Sequence, residues 1–391
     1  MPNALTLTSF AENIFRARDT VSRELLGFIP SVLINSDSDG VSINGTINSL
    51  TTASPTLNNS YAPAMTIPAA DDQTVGNATM TIDQVANVRI PLRGEDVRKL
   101  ENVGSYQQTI DDMFSQAFRS IGNAIEIHIG SVARLGASRA TGTSGTTPFA
   151  SNLGATAQLG KILKDNGAGA MDYRCVIDTA AGAALRTLTQ LTNVSESASS
   201  ETLRRGTLLD LHGFPIRESA GVSVSTAGSM ASATSTAAAF TVGQTVIPLA
   251  TAGTGVVAAG DVITFANDTN NQYVVSAVSF AGANPASGDT ITLAAPGLRV
   301  AQGAATRAIT VTAAYTANIG FQRNAIELVV RPPAMPLGGD SADDRMLVTD
   351  PVSGLVYSIA LYKGYGMNSL DITTFYQAKV WKPAHVAILK G

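Results

Sequence analysis

The residues of this 391-residue chain whose types could do chemistry are three histidines, one cysteine and a few acidic clusters. His128, His212 and His385 stand far apart, and none has a second ligand at metal-binding spacing. Zinc needs three or four converging ligands. Glu126 and His128, two residues apart, point to different faces if they lie on a helix. Asn35, Asp37, Asp39 and Gly40 imitate the first half of a calcium loop, but the bidentate acid expected six residues after the glycine is Thr46. Residues 167–172, GAGAMD, carry two of the three glycines of a dinucleotide loop. They precede an apolar run instead of following one, which is the wrong order for that loop. There is no nucleophile elbow and no P-loop. Cys175 lies among Tyr173, Val176 and Ile177 and reads as a core thiol. Being alone, it makes no intrachain disulfide. No constellation points to catalysis, a metal or a cofactor, so the chain reads as a non-enzyme. One pair of features remains. Asp71 and Asp72 are an acidic pair in an otherwise neutral stretch, and Arg98 and Lys99 are basic neighbours further on. They are the candidate contacts between one copy of the chain and the next. The competing reading of the acidic pair is a solvated turn, since exposed ion pairs contribute only about 0–1 kcal/mol.

The element that must position everything else runs from Ser105 to about Arg134. Its apolar residues, Tyr106, Ile110, Met113, Ala117, Ile121, Ala124, Ile125 and Val132, recur at gaps of three and four. That spacing puts them on one helix face. Ser105 with Gln108 has the form of a capping box. Roughly 29 residues at 1.5 Å each make a rod of about 43 Å. Asp111, Asp112, Arg119, Glu126 and Arg134 exclude a membrane span. The heptad drifts out of phase after Ile121, which excludes a coiled coil. The remaining reading is a long helix laid across a sheet, with Gly122 and Gly130 permitting close approach or a bend.

Around it the chain divides by composition. Residues 1–36 read as an arm, with a helix starting at a Ser9/Glu12 box, stopped by Gly27 and Pro30, and followed by an extended run from Phe28 to Ile34. Residues 37–90 hold two alternating stretches, 41–50 and 78–92, expected as strands of a protruding hairpin. Residues 136–152 read as a Gly/Ser/Thr loop. A helix over Ala155–Leu163, a strand over Tyr173–Ile177 and a helix over Thr179–Leu191, capped by Asp178 or Thr179, make an α+β unit. From Ser219 the composition changes. No charged residue occurs up to Gly260, and between Ala220 and Ala313 there are only Asp261, Asp268, Asp289, Arg299 and Arg307. Five or six short strands separated by turn residues indicate a small barrel or sandwich inserted in a surface loop. After Ala317 further strands follow, with a polar loop around Asp343 and Asp344.

The totals agree with an interaction protein. Charged residues are 14% of the chain, against about 25% in ordinary soluble proteins. No run of 18 apolar residues occurs, so low charge points to surface covered by other chains. A net charge of −4 lacks the basic excess of a nucleic-acid binder. The first residues show no basic segment followed by an apolar core, so no signal peptide is expected and the chain is expected to fold in a reducing cytoplasm.

Three segments carry a resemblance. Leu211-His212-Gly213-Phe214-Pro215-Ile216 is similar to a turn found in major capsid proteins of tailed double-stranded-DNA bacteriophages. Asn318 to Ile326 resembles a strand-forming segment of that family, and Ala378 to Gly391 its closing strand. The β-module after Ile216 resembles the subfamily with an insertion domain, as in the coat protein of a Salmonella podovirus. The resemblance implies an α+β tailed-phage capsid fold. Its parts would be an N-terminal arm (1–36), an extended loop (37–90), a peripheral domain with the long helix as spine (91–149), a first axial part (150–218), an inserted β-barrel (219–314), and a second axial part whose last strand returns to the peripheral sheet (315–391). It implies self-assembly through pentamers and hexamers into an icosahedral shell, first a procapsid and then an expanded head. The shell would enclose DNA without sequence-specific binding, with a separate scaffolding protein, a portal, an optional decoration protein and no membrane. The location implied is the virion, assembled in the bacterial host cytoplasm. Two alternatives stand beside it. A bacterial nanocompartment shell is opposed by the insertion, and a secreted β-rich adhesin is opposed by the long helix and the missing signal peptide.

Overall fold

One unbroken helix, Tyr106–Leu135, runs for 30 residues, about 45 Å. The computed structural model describes residues 14–17, 26–52, 63, 65–66, 75–103, 106–169, 171–192, 210–251, 253–282, 285–351 and 353–391. The capping box at Ser105 lies outside the described residues. The helix buries Ile110, Phe114, Ala117, Phe118, Ile121, Ile125, Ile129 and Ala133, a stripe at the spacing of one helical face. That stripe packs on Ile90, Leu92, Leu328, Val330, Ile359, Leu361, Leu370 and Ile372. Phe118 meets Tyr357 edge to face at 5.0 Å, a favoured aromatic geometry. The helix is therefore laid across a sheet. Its two glycines differ. A Cβ at Gly130 would sit 2.6 Å from the carbonyl of Gly221, whereas one at Gly122 would meet nothing within 4 Å.

The sheet under the helix has six strands. Leu33–Ser36, Ile326–Arg331, Met367–Val380, Val356–Gly364 and Asp344–Thr349 follow in order, and Gln84–Arg93 pairs along Met367–Val380 as an edge. The alternation in Gln84–Arg93 places Ala86, Ile90 and Leu92 inward and Val85, Asn87, Arg89 and Pro91 outward. Several expectations need correction here. Phe28–Ile34 is not one extended run: Ile29–Ser31 is a short 3-10 helix with Pro30, whose fixed φ suits it, in its first turn, and only then does a strand begin. The stretch 78–92 is not one strand. It breaks at Ile82–Asp83 into Val75–Thr81 and Gln84–Arg93. The polar loop expected around Asp343 and Asp344 ends at Asp343, because Asp344 begins a strand paired with Leu361.

The first half of the 78–92 stretch leaves the sheet. Val75–Thr81 pairs antiparallel with Thr46–Thr52 as a two-stranded ribbon. Met80 and Ile82 anchor its base against Val329 and Phe375.

The second sheet contains Tyr173–Ile177, Phe214–Glu218, Tyr315–Gln322, Val386–Lys390 and Arg139–Thr141. Arg139–Thr141 corrects the loop expected over 136–152. It pairs parallel with Ala387–Leu389, because buried backbone groups need partners. Of residues 315–391, the strands between Ile326 and Val380 belong to the six-stranded sheet, and the last strand joins Tyr315–Gln322 in the second sheet. Helix Gly154–Asp165 packs on this second sheet through Leu159 and Leu163. The helix expected to Leu191 breaks at Leu188 into Thr179–Thr187 and Thr189–Thr192. Asp178 makes no side-chain cap; its N–H donates to Asn318 Oδ1 at 2.7 Å.

The segment after Ser219 forms strands Val246–Thr251, Val262–Phe265, Asp268–Ser279, Thr290–Leu293 and Ile309–Val311. They enclose a core of their own, including Phe240, Ile247, Leu249, Phe265, Tyr273 and Ile291. The segment is not detached. Gln272 and Tyr273 pair with Ala140 and Arg139 and so extend the second sheet.

Candidate functional site

A buried acid joins three separate parts of the chain through four hydrogen bonds. Glu126 lies in the C-terminal half of the long helix, 2% exposed. It is four residues from both Gly122 and Gly130, so the three share a face. Its Oε1 accepts the N–H groups of Gly27 and Phe28, each at 2.6 Å, and the Ser219 hydroxyl at 2.6 Å. Its Oε2 accepts the Ile29 N–H at 3.0 Å. One carboxylate thus joins the N-terminal segment, the long helix and the first residue of the inserted segment. Charge-assisted bonds to backbone N–H groups are the strong kind, and they satisfy a carboxylate that would otherwise be costly to bury.

The crossing is made by glycines. A Cβ on Gly27 would lie 2.8 Å from the Glu218 carbonyl, and one on Gly221 2.8 Å from Glu126 Cγ. A second ionic contact sits beside it. Arg186 donates bidentately to Glu218 at 2.5 and 2.6 Å, and this pairing pushes the guanidinium pKa up. A side chain on Gly182 would collide with that carboxylate.

Three further contacts fix the inserted segment. Arg139 donates to Asn271 at 3.1 Å and to Asn166 at 3.0 Å; its burial lowers the guanidinium pKa. Tyr315 donates its hydroxyl to the Gly260 carbonyl at 2.8 Å. Arg134 donates to Ser225 at 3.4 Å. Four of the segment's five charges, those of Asp261, Asp268, Asp289 and Arg307, are buried. The acids hold turns: Asp289 accepts the N–H groups of Ala281 and Ala286 at 3.1 and 2.6 Å, and Asp261 accepts that of Ala258 at 2.8 Å. Burial still pushes the Asp261 pKa up. The outer face of the segment is consequently almost free of charge.

The base of the ribbon is set by polar contacts. His128 Nε2 lies 2.6 Å from Gln377 Oε1, and Gln377 donates to Asp83 at 2.6 Å, where the ribbon leaves the sheet.

Of the four candidate contact residues, two lie among the described residues. Arg98 and Lys99 are exposed on helix Gly94–Val103, and Arg98 lies 3.7 Å from Glu101. Asp71 and Asp72 lie outside the described residues. Among the described residues no three of His, Cys, Asp and Glu converge as a metal site. No described helix is long and apolar enough to cross a membrane. Cys175 is fully buried, which pushes its thiol pKa up to about 12. From sequence, Glu126 stands out only beside His128 and as a charge in the long helix, and Ser219 only as the start of the uncharged stretch. The available signal was an acid inside an apolar stripe and flanked by two glycines; its partners had no signal.

No family model and no curated protein sequence matches the chain. Similar solved structures include a chain from Mycobacterium phage Che8, 13% identical over 88% of this chain and 84% of that one, with a TM-score of 0.47. Another is from the capsid structure of the cyanophage P-SCSP1u, at 12% identity, 94% and 88% coverage and TM-score 0.48. A third is the virus-like particle from Pyrococcus furiosus, at 10% identity, 97% and 98% coverage and TM-score 0.45. TM-scores below 0.5 at such identities transfer no function to this chain.

Proposed function

We propose that this chain is the major capsid protein of a tailed double-stranded-DNA bacteriophage, of the kind with an inserted β-domain. The observation that carries the reading is where the three resembling segments fall. Phe214–Glu218 pairs through Tyr173–Ile177 with Tyr315–Gln322, which pairs with Val386–Lys390. Segments far apart in the chain are thus members of one sheet. The long helix across a second sheet, the ribbon and the nearly uncharged outer face of the insertion support the same reading. Interface cores are depleted of charge, and a mildly acidic wall does not bind the DNA it holds.

In this reading the long helix is the spine. The peripheral part comprises the helix and the six strands beneath it. The axial part comprises 139–218, 315–322 and 386–391, and 219–314 is the inserted domain. The ribbon is the base of the extended loop. Subunits assemble as pentamers and hexamers with a separate scaffolding protein and a portal, inside the host cytoplasm. Negative-stain electron microscopy of the chain expressed alone, and together with the product of the gene beside it, tests this. Closed shells of one diameter are expected in the second case. A monomer in both cases overturns the reading.

Asp71 and Asp72 are proposed to pair with Arg98 and Lys99 of the next subunit. Asp71→Ala combined with Asp72→Ala should lower shell yield and the heat stability of the shells. Unchanged yield and stability would remove the pairing.

A further inference from the structure

The Glu126 junction does more than fill a core. Its Oε1 is shared by donors from two segments roughly 190 residues apart in sequence: the Gly27 and Phe28 amides on one side and the Ser219 hydroxyl on the other. Those segments also touch each other. The Glu218 carbonyl and the Ser219 Cβ both lie 2.8 Å from where a Gly27 side chain would begin. Phe28 and Ile29 are fully buried behind the amides that Glu126 holds. Phe28 also lies against Gly130, directly beside the Gly221 carbonyl. Neither segment can leave the helix without uncovering the carboxylate that the other depends on. A buried charge left with half its donors is costly, so partial opening is disfavoured relative to full opening.

We propose that Glu126 is a latch through which the N-terminal segment and the start of the inserted segment open as one cooperative unit. The consequence is a two-state element at the middle of the long helix. Anything that draws the N-terminal segment away releases the root of the insertion, and anything that holds one holds the other. This stands on the hydrogen bonds and the backbone crossing alone and does not depend on the chain forming shells.

Hydrogen–deuterium exchange on the full chain tests it, because local opening is what exchange reads. Ser219→Ala removes, on the insertion side, one donor to Glu126 and the acceptor of the Gly221 N–H, and leaves the N-terminal segment chemically untouched, so the amides of Gly27, Phe28 and Ile29 carry the test. Exchange at the amides of Gly27, Phe28 and Ile29 should rise about tenfold together with that at residues 219–221. If only residues 219–221 exchange faster, the coupling is absent and the proposal fails. If neither segment changes, the Ser219 bond holds nothing and the proposal fails as well. Glu126→Gln should accelerate both segments by a similar factor. Should that variant not fold, the Ser219→Ala result decides alone.

Discussion

At the scale of single residues, burial shifts several titratable groups from their ordinary behaviour, whereas Arg186 is shifted by its pairing with Glu218. Lys390 is the clearest case. It stands opposite Ala317 in the strand pair, on the face that carries Tyr315 and Ile319, and is 4% exposed. Burial lowers its pKa to about 8, against about 10.4 for a free lysine. Between those values the unfolded chain binds a proton that the folded chain does not, so this residue makes stability rise with pH there. Below about pH 8 both states hold the proton, and folding carries the full penalty of burying an ammonium group. Lys390→Met should therefore be more stable than the parent in urea at pH 7, and the difference should close by about pH 10.5. Taking the difference between the two chains removes the contribution of the buried tyrosines Tyr273 and Tyr357, whose pKa values burial raises. Equal stability at pH 7 would show that the Lys390 ammonium is solvated. Nothing in the sequence could have announced this. Lys390 ends an apolar run, and a lysine there ordinarily extends its head into water.

At the scale of elements, the long helix was legible because its 3.6-residue period is kept for eight turns, and the strands were legible from their alternation. What was not legible was which strands pair. Val386–Lys390 is buried at every position, so its pattern carries no face and no partner. Its placement beside Tyr315–Gln322 is a property of the packed molecule. The two helix glycines show the same limit. Both were read as permitting approach, and only the surroundings separate them. Gly130→Ala would drive a methyl group into the Gly221 carbonyl, which is backbone and cannot swing aside. A loss of about 1–3 kcal/mol is expected, as for other overpacked sites. Gly122→Ala meets open space and should gain about 0.5–1 kcal/mol from helix propensity alone. Urea titration of the unassembled variants checks both signs. A destabilised Gly122→Ala would mean that the helix needs to bend there.

At the scale of the whole molecule, the low charge content has a local structural meaning. The sequence showed that residues 220–313 hold five charges; the structure shows that four of them are spent inside the segment, mostly clasping turns. Its boundary was legible because composition changes at Ser219. Its attachment was not, because pairing of Gln272 and Tyr273 with the short strand at Arg139 has no sequence signal in a Gly/Ser/Thr-rich stretch. The two facts set opposite expectations for the segment in isolation. Its separate core, built entirely from residues between Met230 and Ile309, is of the size that a domain of about 100 residues supports, so residues 220–313 expressed alone should unfold in one cooperative transition by circular dichroism. The fragment loses the strand at Arg139, the Arg139–Asn271 bond and the Tyr315 hydroxyl on Gly260, so its midpoint should lie below that of the full chain. A gradual, non-cooperative melt would show that the insertion completes its fold only on the second sheet. A midpoint equal to that of the full chain would show that the joint holds position without adding stability, leaving the Glu126 junction as the place where the two parts are energetically tied.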